Sequence, residues 1–246
     1  MRKTQQIVQL LVTCMIDAIA PNIGMSVKNI LNRHQCEVQF QNDQTCCGQP
    51  AFNAGFIKQA RTMARHTIDV FSKTTGPVVI PSGSCTDMIV HQYPEILKHD
   101  PIYKTKAKQL SKRTFEFTQF LVDYLKVEDV GAQYTGCAAY HPCCHGLRNL
   151  NIDRQPSILL NNTQSLKQVE LDCAEECCGF GGLFSINMNK ISESMLNKKM
   201  NHIVDSGADV LIANDLGCII HMQGGLRRKG INIKVKHIAE IIDDCN

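Results

Sequence analysis

The 246-residue sequence has no tryptophan and only five tyrosines, and its formal net charge is a mild +3. A nucleic-acid surface needs clustered cations interleaved with stacking rings, so these shortages argue against one. No apolar run approaches the roughly 20 residues that a helix needs to cross a bilayer. No Walker loop is present, and no G-x-G-x-x-G follows a strand-like segment, so no phosphate cradle for a nucleotide is visible. GFGGLF, Gly179 to Phe184, does carry three glycines, but it follows a cysteine pair and lacks the nucleotide spacing.

What the sequence has in excess is cysteine, thirteen in all. The number is odd, and a chain that is 43% hydrophobic can build a core without disulfide staples. Two short stretches stand out: TCCGQP, Thr45 to Pro50, and ECCGFGG, Glu176 to Gly182. At the N-terminus Arg2 and Lys3 precede an apolar stretch from Ile7 to Ile16, with Ala18-Ile19-Ala20 resembling a cleavage site. Gln5, Gln6, Gln9 and Asp17 dilute that stretch, and it has a counterpart further along the chain, so it is read as a strand of the fold. The expected chain is reduced and cytoplasmic, where clustered cysteines serve metal or redox chemistry more often than disulfides.

The chain is written twice. Aligning Cys46-Cys47-Gly48 with Cys177-Cys178-Gly179 sets an offset of 131 residues. Cys14 then falls near Cys144 at an offset of 130, and Cys85 near Cys218 at 133. Two related domains are expected, 1–128 and 129–246. Ile7–Thr13 reads as a buried strand, Pro21–Arg33 as a helix, Cys36–Phe40 as an alternating strand, Ala51–Phe71 as a helix, and Val78–Pro81 as a strand. In the second half, Ile191–Asp205 reads as a helix stopped by Ser206-Gly207, followed by a strand at Asp209–Ala213. Ile231–Lys236 and His237–Asp243 complete it as strand and helix. The alternation predicts an α/β fold: two pseudo-symmetric Rossmann-like halves with parallel sheets, each carrying one CCG motif. Leu97–Lys112 has no clear equivalent in the second half and reads as a solvated helical insertion.

In such a sheet the loops after the strands' carboxyl ends gather on one edge, where ligands bind. Cys14, Cys46, Cys47 and Cys85 are expected to converge there in the first half. Cys144, Cys177, Cys178 and Cys218 are expected to do so in the second, with Cys143 an alternative to Cys144 by spacing alone. Four unpaired thiolates repel one another and oxidise readily, and a metal centre resolves both problems. An iron–sulfur cluster is held by such a set, and adjacent cysteines suit a centre with several irons better than one tetrahedral zinc. Cys36, Cys137, Cys173 and Cys245 have no partner in the other half and read as buried or half-buried free thiols. His141, His145 and His221 lie near the cysteines and read as hydrogen-bond partners to sulfur or surface groups, with zinc ligation the alternative.

These motifs resemble the cysteine-rich CCG domain family, which includes the cysteine-rich component of heterodisulfide reductase and the iron–sulfur subunits of glycolate oxidase and glycerol-3-phosphate dehydrogenase. The similarity is carried by TCCGQPAFNAG, PSGSCTDM, CCGFGGLFSI, LRRKGINIKVKHIAEII and YHPCCH. It assigns the family cysteine to Cys144 and leaves Cys143 as an extra. Where the pattern closes with a fifth cysteine, this chain has Met88 and His221. Within the family the chain resembles the lactate-utilisation members. That implies an iron–sulfur electron-transfer subunit of an NAD-independent complex oxidising L-lactate to pyruvate. It implies one or two [4Fe-4S] clusters per chain, held by the eight cysteines of the two sets, and two partner proteins, one with ferredoxin-like clusters. Two other readings stand beside it: a thiol–disulfide or persulfide enzyme, and a zinc-stapled interaction scaffold.

Overall fold

A computed structural model describes residues 5–244. The chain divides into two compact units, the division falling between Phe120 and Leu121. The expectations at Arg2, Lys3 and Cys245 lie outside the described residues.

The first unit is built on a four-stranded parallel sheet in the order β2-β1-β3-β4, comprising β1 (Gln6–Leu10), β2 (Cys36–Phe40), β3 (Val78–Ile80) and β4 (Thr114–Glu116). Helix α1 (Cys14–Ile19) starts shortly after β1 and passes into α2 (Pro21–Arg33), which has proline in its first turn. Ile23, Val27, Ile30 and Leu31 recur at helical spacing and are buried, which is why α2 packs where the sequence places it. Gln9, the polar residue inside β1, is fully buried yet satisfied: its Nε2 donates to Gln39 Oε1 at 2.9 Å and to Thr75 O at 3.1 Å.

The helix expected at Ala51–Phe71 is two helices, α3 (Gln49–Asn53) and α4 (Ile57–Ser72). Gly55, at φ +82°, breaks the run between them. After β3 come α5 (Gly83–Asp87), a π-helical turn at Met88–Gln92, and α6 (Tyr93–Ile96). The region expected as a solvated insertion holds helix α7 (Tyr103–Lys112), and it is not wholly solvated. Ala107 and Leu110 join the core together with Met88, Tyr93 and Ala64, so the lysines face water while one stripe is buried. Strand β4, which carries no distinct sequence signal, is followed by the short α8 (Phe117–Gln119).

The second unit repeats the plan. Its sheet, β6-β5-β7-β8, is again parallel, with β5 (Gln133–His141), β6 (Gln164–Gln168), β7 (Val210–Ala213) and β8 (Lys234–His237). Helices α9 (Cys144–Leu150) and α10 (Arg154–Asn161) link β5 to β6. Helices α11 (Phe184–Asn187) and α12 (Asn189–Asp205) link β6 to β7, with Gly207 at φ +67° ending the passage. Helix α13 (Leu216–Arg228) precedes β8, and α14 (Ile238–Ile242) follows it. The final strand begins at Lys234, three residues later than the pattern suggests, and runs through His237.

In both sheets the first strand lies between the second and the third, so strand order reverses beside β1 and β5. An open parallel sheet has its crevice at that reversal, outside the strands' carboxyl ends. Cys14 follows β1 and Cys85 follows β3. Cys143 and Cys144 follow β5, and Cys218 follows β7. No described helix is long and apolar enough to cross a membrane.

Candidate metal centre

Each cysteine is placed by local chemistry. Cys14 opens α1 behind Thr13, whose Oγ1 accepts from Ile16 N at 3.5 Å. Cys85 lies in the first turn of α5, where Ser82 caps the helix by accepting from Cys85 N at 3.3 Å. Asp215 does the same work ahead of Cys218, with Gly217 N donating to its Oδ1 at 3.1 Å. Both caps stand three residues before the cysteine, so each thiol is presented from the N-terminal turn of a helix. The two CCG motifs are loops in which the glycine takes a left-handed conformation, Gly48 at φ +85° and Gly179 at φ +91°.

In the first unit the thiols form a run of hydrogen bonds. Cys14 and Cys47 each donate to Cys46. Cys47 Sγ also lies 3.3 Å from Cys85 Sγ, within hydrogen-bonding reach, and Gly48 N donates to Cys46 Sγ at 3.5 Å. Cys46 is therefore the thiolate of the set. Hydrogen bonds from Cys14 and then Cys47 pull its pKa down to about 3, against the opposing effect of burial. The same bonds hold the protons of Cys14 and Cys47 on, pushing both above the usual thiol range. Below this run, buried Tyr93 donates its hydroxyl to Cys47 O at 2.7 Å and fixes the loop to the core. Met88, fully buried, packs into that same core alongside Cys47.

The second unit reproduces the arrangement around Cys177. Cys144 and Cys178 donate to it and Gly179 N reaches its Sγ at 3.4 Å. The Cys144 bond is the largest influence, and the pKa falls to about 2. Cys178 is pushed up to about 12, first by its bond to Cys177. Cys218 is hydrogen-bonded with Cys143 and with Cys178, its single proton shared between the two sulfurs, and both contacts raise it well above its ordinary value. Cys143 thus touches the set, although the family pattern singled out Cys144. The signal lay in YHPCCH itself, where both residues follow the central strand.

The histidines divide. His145 Nδ1 lies 3.7 Å from Cys144 Sγ. His221 stands beside Ser192 Oγ at 3.4 Å and against the Phe180 ring. His141 is only 1% exposed, and burial pulls its pKa down to about 4, so it is a neutral imidazole. Its Nδ1 lies 3.1 Å from Ala174 O, and its Nε2 is buried without a hydrogen-bond partner. A ring nitrogen, Cys178 Sγ and Cys218 Sγ all lie within 4.8 Å of one another. An orphaned buried imidazole nitrogen beside two sulfurs is the environment of a missing electropositive partner. The donor chemistry fits a thiophilic metal centre: clustered soft sulfurs, each set organised around one preformed thiolate.

Of the cysteines outside the two sets, Cys36 is a buried free thiol and Cys137 is half-buried. Cys173, on the loop after β6, is exposed, contrary to the expectation of burial or half-burial. The twelve cysteines among the described residues are all free.

The family model described as "Cysteine-rich domain", named CCG, matches this chain twice, over residues 8–90 and 138–223. A protein named "Lactate utilization protein A" from Bacillus cereus (strain G9842) is 42% identical over 96% of this chain and 98% of its own length. One of the same name from Bacillus thuringiensis (strain Al Hakam) is 43% identical over the same shares. A crystal structure of a hypothetical protein from Helicobacter pylori superposes with TM-score 0.59 at 11% identity, covering 98% of this chain and 49% of that one; the likeness is one of fold.

Proposed function

The chain belongs to the cysteine-rich CCG domain family, and from that premise we propose that it is an iron–sulfur electron-transfer subunit of a lactate-utilisation complex. The complex oxidises L-lactate to pyruvate without NAD in the cytoplasm, and the chain works there with two partner proteins, one carrying ferredoxin-like clusters. Each half holds a [4Fe-4S] centre, through Cys14, Cys46, Cys47 and Cys85 in one and Cys144, Cys177, Cys178 and Cys218 in the other. The observation that carries the reading is the repetition. Two sheets of identical strand order and, in each half, a run of four hydrogen-bonded thiols around the first cysteine of CCG support it.

A bound cluster supplies one-electron transfer at each site. The chain's own residues do the rest. Cys46 and Cys177 are held as thiolates ready to bind, and Gly48 N and Gly179 N donate to their sulfurs. The helix turns behind Cys85 and Cys218 direct amide dipoles at an anionic site. Tyr93 and Met88 keep water from the floor of the first site. Lactate oxidation releases two electrons and two protons; the chain passes the electrons on and carries no nucleotide motif to accept a hydride.

Anaerobic purification followed by absorbance, iron and sulfide analysis tests this. Brown protein with iron and sulfide in near-equal amounts is expected. Cys47→Ser and Cys178→Ser should each lose the cluster of their own half while the fold survives by circular dichroism. A colourless, iron-free protein with stoichiometric zinc would support the scaffold reading instead, for which His141, Cys178 and Cys218 supply a coordinating group.

A further inference from the structure

The run of thiols in the first unit ends at Cys14 on one side and Cys85 on the other. In the second unit the corresponding run, Cys144 to Cys177 to Cys178 to Cys218, continues for one more step, because Cys218 shares its hydrogen bonding between Cys178 and Cys143. Cys143 and Cys144 are consecutive, so the five residues close on themselves. The position equivalent to Cys143 in the first unit is Thr13, directly before Cys14.

The two residues do different work. Thr13, at φ +73°, turns its hydroxyl back to cap α1. Cys143, at φ −62° and ψ 132°, stands at the cap of α9 but makes no side-chain cap hydrogen bond. It is 4% exposed, its thiol donates weakly to His141 O at 3.9 Å, and its sulfur is in hydrogen-bonding contact with Cys218. A cysteine placed only to fill space has no need to meet the thiol of another site residue 75 positions away.

We propose that Cys143 is a fifth thiolate donor to the group held by the C-terminal half, so that the two halves hold unlike centres, one of four thiolates and one of five. The identity of that group rests on the iron–sulfur reading above. An added thiolate contributes a further negative charge, and net charge is one of the protein's levers on cluster potential. The C-terminal centre therefore has the lower midpoint potential of the two.

The full chain carrying Cys14→Ser and Cys46→Ser, which silences the N-terminal site at its most accessible thiols, isolates the C-terminal centre. It is reconstituted anaerobically with Fe²⁺ and sulfide and titrated under EPR detection. Cys143→Ser in that background should change the signal of the reduced centre and raise its midpoint potential. Cys137→Ser, on the strand that precedes Cys143 but outside the ring, should move neither. An unchanged signal and potential in Cys143→Ser overturns the proposal. Should the chain take up no iron and sulfide, the iron–sulfur reading fails, and Cd²⁺ titration of the reduced chain decides the five-thiol site separately. The sulfur-to-cadmium band grows with the thiolates bound, and the share contributed by the C-terminal site should fall by about one fifth in Cys143→Ser and in Cys143→Ala. An unchanged band overturns the site as well.

Discussion

Gly48 and Gly179 occupy equivalent places, yet their replacement by alanine should have unequal effects. Both adopt the left-handed region, at φ +85° and +91°, which costs an alanine about 1–2 kcal/mol. At Gly48 the new methyl would meet Met63 Cβ at 3.1 Å and Ala60 O at 3.5 Å, so α4 has to give by only a few tenths of an ångström. At Gly179 it would stand 2.7 Å from Ser192 O and 3.0 Å from Met195 Cβ. The first of these is helix backbone, and the Ser192 hydroxyl is already committed to Gly179 O at 2.8 Å. Moving α12 away breaks that bond, and overpacking of this kind costs about 1–3 kcal/mol more. The expected losses are about 1.5 kcal/mol for Gly48→Ala and about 3 kcal/mol for Gly179→Ala. With a melting temperature that falls about 2–4 °C per kcal/mol in a chain of this size, the drops should be about 3–6 °C and about 6–12 °C. Thermal and urea unfolding of the reduced, metal-free chain measures them, and hydrogen exchange assigns each loss to its own half. Equal losses, or a milder effect at Gly179, would refute the claim that α12 backbone sets the packing of the second CCG loop.

Other perturbations follow from the same geometry. Tyr93→Phe keeps the ring but removes the donor to Cys47 O, and should cost about 1–3 kcal/mol by urea denaturation, with faster exchange at the first CCG loop. Lys199, 1% exposed, donates to Cys173 O at 2.7 Å and Ala174 O at 3.0 Å; Lys199→Met should loosen residues 173–178 in hydrogen exchange and destabilise the chain by about 2–4 kcal/mol. Burial pushes the Cys36 thiol up to about 11. A folded pKa above the ordinary value of 9.0 gives stability that is complete below about pH 9 and lost as pH rises through about 11. Cys36→Ala should therefore cost about 2–3 kcal/mol less at pH 11 than at pH 8 in paired urea titrations; a penalty independent of pH would contradict it.

The helix Pro21–Arg33 and the strand Cys36–Phe40 were legible to the residue, because a proline start, a helical apolar stripe and a short alternating run are local signals. The break at Gly55 was not, since a single glycine within a helical pattern is commonly tolerated and only its φ of +82° reveals the turn. Strand β4 is three residues long and is a strand because it pairs with β3, a property of the sheet and not of Thr114–Glu116.

By itself the sequence determined the duplication, the α/β alternation and the order in which cysteines follow strands, because each depends on residue type and spacing along the chain. Tertiary structure decided the rest. Which sulfur is the thiolate depends on who donates to whom across 32 or 33 residues, from Cys14 to Cys46 and from Cys144 to Cys177. That Met88 fills the core, that His141 keeps an unpartnered nitrogen near sulfur, and that Cys143 meets Cys218 are all consequences of strand register and helix placement. Spacing can bring a cysteine to the edge of a sheet, but only packing settles which neighbour its sulfur will touch.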